Sequence, residues 1–256
     1  MHKSLIEVAK EEVITNPHEI FSITYKNEKY WVKKARATQS KWNHRFFYFL
    51  FPFDALIPSE SKTGVQCIEH ETSKLDIFRA HGINTPAVIY KNDEFFILED
   101  CGETLNTLTR DKSISEEKMY YYMDKLLFEL AKIHKVGLYH GGAQTRNFTY
   151  KEAKVYAIDL EESFNPNIDI KVLQFRDFTL LLLSFVKIRV NFDLDYNYVI
   201  RKYVELSGNK EVLKKLKNIA NKTSFLIYLS ELKFIKKVLG SDVKGFSKLL
   251  KILKSL

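Results

Sequence analysis

Glycine is missing from the first quarter of this chain: none of its nine occurs before Gly64. No glycine-rich loop can form there, and any close backbone approach in that region must be built from residues that carry a Cβ. Cysteine is scarce as well. Cys67 and Cys101 are the two present, which excludes a disulfide framework or a cysteine metal cluster and makes a reducing, cytoplasmic compartment the expectation. No run approaches the roughly 18 apolar residues of a membrane span. The opening segment, MHKSLIEVAKEEVITNP, carries acidic residues where an export signal would have its apolar core. Internal repeats and low-complexity linkers are absent too.

What is present is a 256-residue chain, 45% hydrophobic, long enough for one large domain or two lobes with cores of their own. The net charge of +8 is unevenly placed: residues 187–256 carry 16 Lys/Arg against 6 Asp/Glu. A basic half suits an anionic membrane surface or a phosphorylated glycan. Its lysines are spaced rather than clustered, which fits solvated helix faces equally well and makes nucleic acid an unlikely partner.

Along the chain, Ile20 to Arg36 reads as a hairpin, IFSITY and YWVKKAR about a KNEK turn. Residues 41–57 form an aromatic insert, FFYFLFPF preceded by Lys41, His44 and Arg45, suited to a core segment or to an interfacial contact. From Ile68 to His81 the spacing predicts a helix whose apolar stripe of Ile68, Leu75 and Phe78 includes Glu71. A carboxylate on a buried stripe needs a cation, and a strand lysine is the natural mate. Strands are expected at 88–90 and 94–99. Ser115 followed by Glu116-Glu117 marks the start of a long helix. Amphipathic helices are expected in the tail, one lined by Phe225, Leu229 and Leu232, another by Val243, Phe246 and Leu250.

The stretch Leu138–Ser163, LYHGGAQTRNFTYKEAKVYAIDLEES, holds the densest chemistry. A strand-like run ends in Asp159, and Asn147 closes a polar loop opened by His140. An Asn and an Asp at the mouth of a hairpin suit a magnesium–nucleotide site; turn residues placed for their backbone alone are the other reading. The spacing resembles H-G-D-x-x-x-x-N followed by a strand ending I-D-x, the catalytic and metal loops of the protein-kinase-like superfamily. The likeness is to its small bacterial branch of lipopolysaccharide core sugar kinases, RIO-type and KEOPS-type kinases. The segment from Glu71 to Pro86 resembles the E-x-x-x-L…G-I-x-x-P run of the same group.

That resemblance implies an α+β, two-lobed kinase-like fold: a β-rich lobe over 1–98, a hinge at 99–103 and a mostly helical lobe over 104–256. It also implies ATP and Mg2+ as cofactors. Lys33 and Glu71 would position phosphates, and Leu98, Glu99 and Cys101 would meet the adenine. Asn147 and Asp159 would hold the metal, and Asp177, read as preceding an apolar helix, would brace the loop. Strand alternation leaves Lys34 open as the alternative to Lys33. A long activation segment is lacking, which points away from peptides and toward a glycan, lipid-linked or other small hydroxyl acceptor at the inner membrane face.

Two departures stand out. Asn16-Pro17 would have to serve as the first strand turn in place of a glycine-rich loop, and Gly142 occupies the position of the catalytic Asp. His140, Gln144, Arg146 and Glu161, with Glu162 beside them, are the groups left to act. The sequence therefore points to an ATP-dependent phosphotransferase, with a nucleotide-binding or structural pseudokinase as the rival.

Overall fold

The computed structural model describes residues 3–38, 57–222, 249 and 251–254. The aromatic insert before Ile57 and the apolar positions assigned to the tail helices up to residue 248 lie outside them.

The small lobe begins with a helix. Ser4 and Glu7 form a reciprocal capping box for α1 (Leu5–Thr15), which ends at Asn16. This corrects the strand turn expected at Asn16-Pro17: the VAKEEVIT run places Val8, Ala9 and Val13 at helical spacing against the sheet. Strands β1 (Ile20–Tyr25) and β2 (Glu28–Lys34) follow. Lys26 and Asn27 both have positive φ, the two-residue turn that matches strand twist, so Glu28 and Lys29 belong to the strand rather than to the turn. With β3 (Val88–Lys91) and β4 (Phe95–Glu99) they make an antiparallel sheet in the order β1-β2-β4-β3.

Strand alternation then divides the residues of β2. Val32, Phe21, Ile23, Phe95 and Ile97 pack beneath α1. Lys34 is on that side, its Nζ donating to Asn16 O at 2.6 Å, where it caps the end of α1. Trp31 and Lys33 fall on the other face, toward α2 (Gly64–Ala80). A Thr63–Gln66 capping box starts that helix, which buries Ile68, Glu71, Lys74, Leu75 and Phe78.

The larger lobe is mostly helical. After β5 (Glu103–Thr104) and the short α3 (Leu105–Thr109), Ser115 caps α4 (Glu116–Lys135). A hairpin of β6 (Phe148–Lys151) and β7 (Lys154–Ala157) pairs with β5. Helices α5 (Ile170–Val186), α6 (Tyr196–Ser207) and α7 (Glu211–Lys222) complete the described part. Their apolar faces, with Leu249 and Leu253, form one core with α4 and the hairpin. Phe178 stacks on Tyr203 at 3.8 Å between centroids. Helix α5 begins at Ile170, capped by Asp169, so Asp177 lies within the helix and not ahead of it.

The class is thus α+β, an antiparallel-sheet lobe followed by a helical one. Among the described residues, no helix is long and apolar enough to cross a membrane.

Candidate functional site

A cleft of about 280 Å3 opens between the sheet and the β6–β7 hairpin. Its apolar end is made by Ile20, Trp31, Pro86, Leu98, Cys101 and Ile158, and its polar end by Lys33, Glu71, Arg146, Asn147 and Asp159.

The polar end is organised around one ammonium. Lys33 Nζ lies 2.7 Å from Glu71 Oε2, 2.7 Å from Asp159 Oδ1 and 3.3 Å from Glu161 Oε2. Burial works against its charge, but Glu71, Asp159 and Glu161 outweigh that cost and hold the amine above the ordinary lysine range. Glu71 is 2% exposed, and burial lifts its carboxyl to about 7 even with Lys33 beside it, because Asp159 and Glu161 share the same cation. Asp159 is half-buried; that burial works to raise its carboxyl, yet Lys33 keeps it below the usual carboxylate value. Its backbone is left-handed, with φ at 59°. For a non-glycine residue this is a conformation that the surroundings must impose, and such strain gathers at functional sites.

The loop from His140 to Asn147 is held from three directions. Asp177 on α5 is fully buried; its Oδ2 accepts from His140 N at 2.6 Å and its Oδ1 from Gly141 N at 2.9 Å. Arg176 donates to Gly141 O, and Lys74 on α2 to His140 O at 2.8 Å. Gly141 has φ at 100°, which favours glycine, and a Cβ there would press on Glu162 Cβ at 3.0 Å.

His140, expected among the groups left to act, is wholly buried. Its Nδ1 accepts from Gly142 N at 3.2 Å and its Nε2 faces Asn147 O at 3.3 Å, a pattern that fixes the Nε2–H tautomer. Burial lowers its pKa to about 4. The neutral ring is thus engaged at both nitrogens and packed on Phe148.

Asn147 donates from Nδ2 to Gly142 O at 2.9 Å, which directs its amide oxygen away from that bond. Arg146 is exposed and lines the cleft, whereas Gln144 does not line it and sits half-buried at the start of the Thr145–Asn147 turn. Leu98, Glu99 and Cys101 all line the apolar end; burial pushes the Cys101 thiol up to about 12, so it is an inert lining group at neutral pH.

Sequence reasoning missed three residues. Trp31 lines the apolar end, its indole N–H donating to Asp100 Oδ1 at 2.8 Å with Lys29 Nζ 4.5 Å over its ring. Lys74 and Arg176 brace the loop, and burial lowers the amine of Lys74 to about 8. Lys74 was detectable, three residues past Glu71 and so on the same buried face. Arg176, beside Asp177 in an otherwise apolar run, was the other signal.

No protein-family model matches the chain. A protein of Haemophilus influenzae described as uncharacterized is 26% identical over 146 residues, covering 57% of this chain and 54% of the relative. The match thus spans about half the length of that protein. A solved structure described as WaaP in complex with acyl carrier protein aligns over 86% of this chain and 90% of its own, with a TM-score of 0.48 and 12% identity.

Proposed function

We propose that this chain is a magnesium- and ATP-dependent phosphotransferase with a protein-kinase-like arrangement of its two lobes, acting on a glycan or other non-peptide hydroxyl. One observation carries the reading: Lys33, Glu71 and Asp159, 126 positions apart at the extremes, converge within 2.7 Å contacts at the polar end of an inter-lobe cleft. A buried ion pair costs desolvation and is weak evidence for stability. An ammonium held among three carboxylates beside an apolar slot instead suits a ligand with an apolar ring at one end and phosphates at the other.

The residues present fit the implied groups. Asp159 Oδ1 and Oδ2 with the Asn147 amide oxygen offer the hard oxygen ligands magnesium takes, and Lys33 offers a point charge for phosphate. Bound there, the metal would neutralise charge on the transferring phosphates. Leu98, Glu99 and Cys101 border the slot for the base, and Trp31 gives it an aromatic wall.

The second reading, a nucleotide-binding module without turnover, is favoured by Gly142, which leaves no carboxylate at that loop position. Two measurements separate the readings. Mg-ATP should raise the unfolding midpoint, with saturation at 100 times Kd adding about 2.7 kcal/mol, and Lys33→Ala or Asp159→Ala should abolish the shift. ADP release in the presence of candidate glycans should then be magnesium-dependent and lost in both variants. No shift at millimolar nucleotide rejects both readings; a shift without ADP release leaves the binding module.

A further inference from the structure

Among the described residues, four carboxylates besides Asp159 stand near the loop and the cleft, and their commitments differ. Glu71 and Glu161 share Lys33 with Asp159. Asp177 is spent on two backbone N–H groups. Glu162 is held without being used up. Its carbonyl accepts from Lys74 Nζ at 3.2 Å and faces His70 Nε2 at 3.3 Å, while its Oε2 lies 3.0 Å from Arg176 Nη2 as an ion pair without a hydrogen bond. Oε1 carries no hydrogen bond from any described residue, and the side chain remains 33% exposed.

Its location is the telling point. A Cβ built on Gly142 would lie 3.7 Å from Glu162 Oε1, 3.9 Å from Glu162 Cδ and 3.2 Å from Asn147 Nδ2. The missing side chain at 142 thus leaves a space with the Glu162 carboxylate at its border, next to the Asn147 amide. Carboxylate and amide thus border the space beside Gly142, the loop position at which the phosphotransferase reading sets the acceptor hydroxyl.

We infer that Glu162 is the catalytic carboxylate of this chain, reaching across from the loop after β7 to orient the acceptor hydroxyl beside Gly142. The inference rests on the phosphotransferase reading. In the step, the acceptor oxygen bonds to the γ-phosphorus of ATP and the bond from that phosphorus to the bridging oxygen of ADP breaks. The hydroxyl proton passes to Glu162 Oε1. Arg176 is a positioning residue that fixes the rotamer, and Gly142 is required because a side chain there would compete for the same space.

The test uses Mg-ATP with water as the acceptor, so that no glycan need be known, and reads ADP release alongside the Mg-ATP-induced shift in unfolding midpoint. Glu162→Gln keeps the shape and the Arg176 contact but cannot take a proton. It should retain the midpoint and the nucleotide shift while ADP release falls about 100-fold, the scale of a lost general base. Gly142→Asp alone crowds two carboxylates together and should also slow release. Gly142→Asp combined with Glu162→Ala should recover at least ten-fold over Glu162→Ala alone, which a merely structural Glu162 would not allow. Unchanged release in Glu162→Gln, or no recovery in the double variant, overturns the assignment. So does a wild type that shows the nucleotide shift without turnover, which leaves nucleotide binding standing. Absence of the shift itself removes the phosphotransferase reading and this one together.

Discussion

At the scale of single residues, the side chains that matter most are the buried charges. Glu71 on α2 is 2% exposed and depends on Lys33 for its counter-charge. Lys33→Ala should therefore cost about 3 kcal/mol in urea unfolding without any ligand, because removing one partner strands the other. Glu71→Gln isolates a pH effect. The folded carboxyl stands at about 7 against an ordinary 4.5. Between those values the native state holds a proton that the unfolded chain has released. The group's contribution is complete below about 4.5 and is lost as pH rises through 7. Thermal midpoints measured from pH 4.5 to 7.5 should thus move in favour of Glu71→Gln over wild type as pH increases; a constant difference would show that Glu71 does not titrate in this range. Glu71 and its need for a cation were legible, since a carboxylate on an apolar stripe has few alternatives. Trp31 was not, because an aromatic residue in a strand reads as packing until the opposite wall of the cleft is known.

Helix α5 acts as an anchor for the loop at the scale of elements. Asp177 meets two consecutive loop N–H groups, and Arg176 grips the carbonyl of Gly141 on the same loop. Asp177→Asn can satisfy one of those donors at most, so it should cost about 2 kcal/mol, read as a lower urea midpoint at unchanged slope. A variant as stable as wild type would show that the loop has another support. The elements themselves were partly legible. The Ser115 cap and acidic first turn located α4, and the β-branched and aromatic runs located β1, β2 and β4. Helix α1 escaped as a structural element because Asn16-Pro17 is equally good as a helix end and as a strand turn. The start of α5 escaped because Gln174, Arg176 and Asp177 separate IKVL from the apolar run that follows, although it belongs to the same helix. Which of Lys33 and Lys34 enters the cleft could not be read from alternation alone. It was decided by α1, which covers the Val32 face and takes Lys34 as its C-terminal cap.

For the whole molecule, the α+β order of a sheet-based lobe before a helical one was legible through the resemblance carried by residues 71–86 and 138–163 and not through periodicity alone, since two helices fall among the strands of the first lobe. The site did not follow in the same way: Lys33, Glu71 and Asp159 belong to three elements far apart in sequence, and only tertiary packing brings them together. That convergence has a thermodynamic consequence. In the resting chain, Lys33 already serves as the cation for Glu71, Asp159 and Glu161. A free divalent ion arriving at Asp159 must compete with this internal counter-ion, and a free nucleotide must draw the ammonium away from carboxylates that would then repel one another. Each ligand removes the obstacle facing the other: phosphates that attract Lys33 vacate Asp159, and an ion on Asp159 releases Lys33. On the phosphotransferase reading, the two should bind with positive linkage. Calorimetric titration of magnesium into the protein should show weak binding alone, and binding about ten-fold tighter or more with a non-hydrolysable ATP analogue, after correction for metal bound by the free analogue. Lys33→Met should erase this internal share of the linkage, because without its resident cation the site no longer requires an exchange of partners.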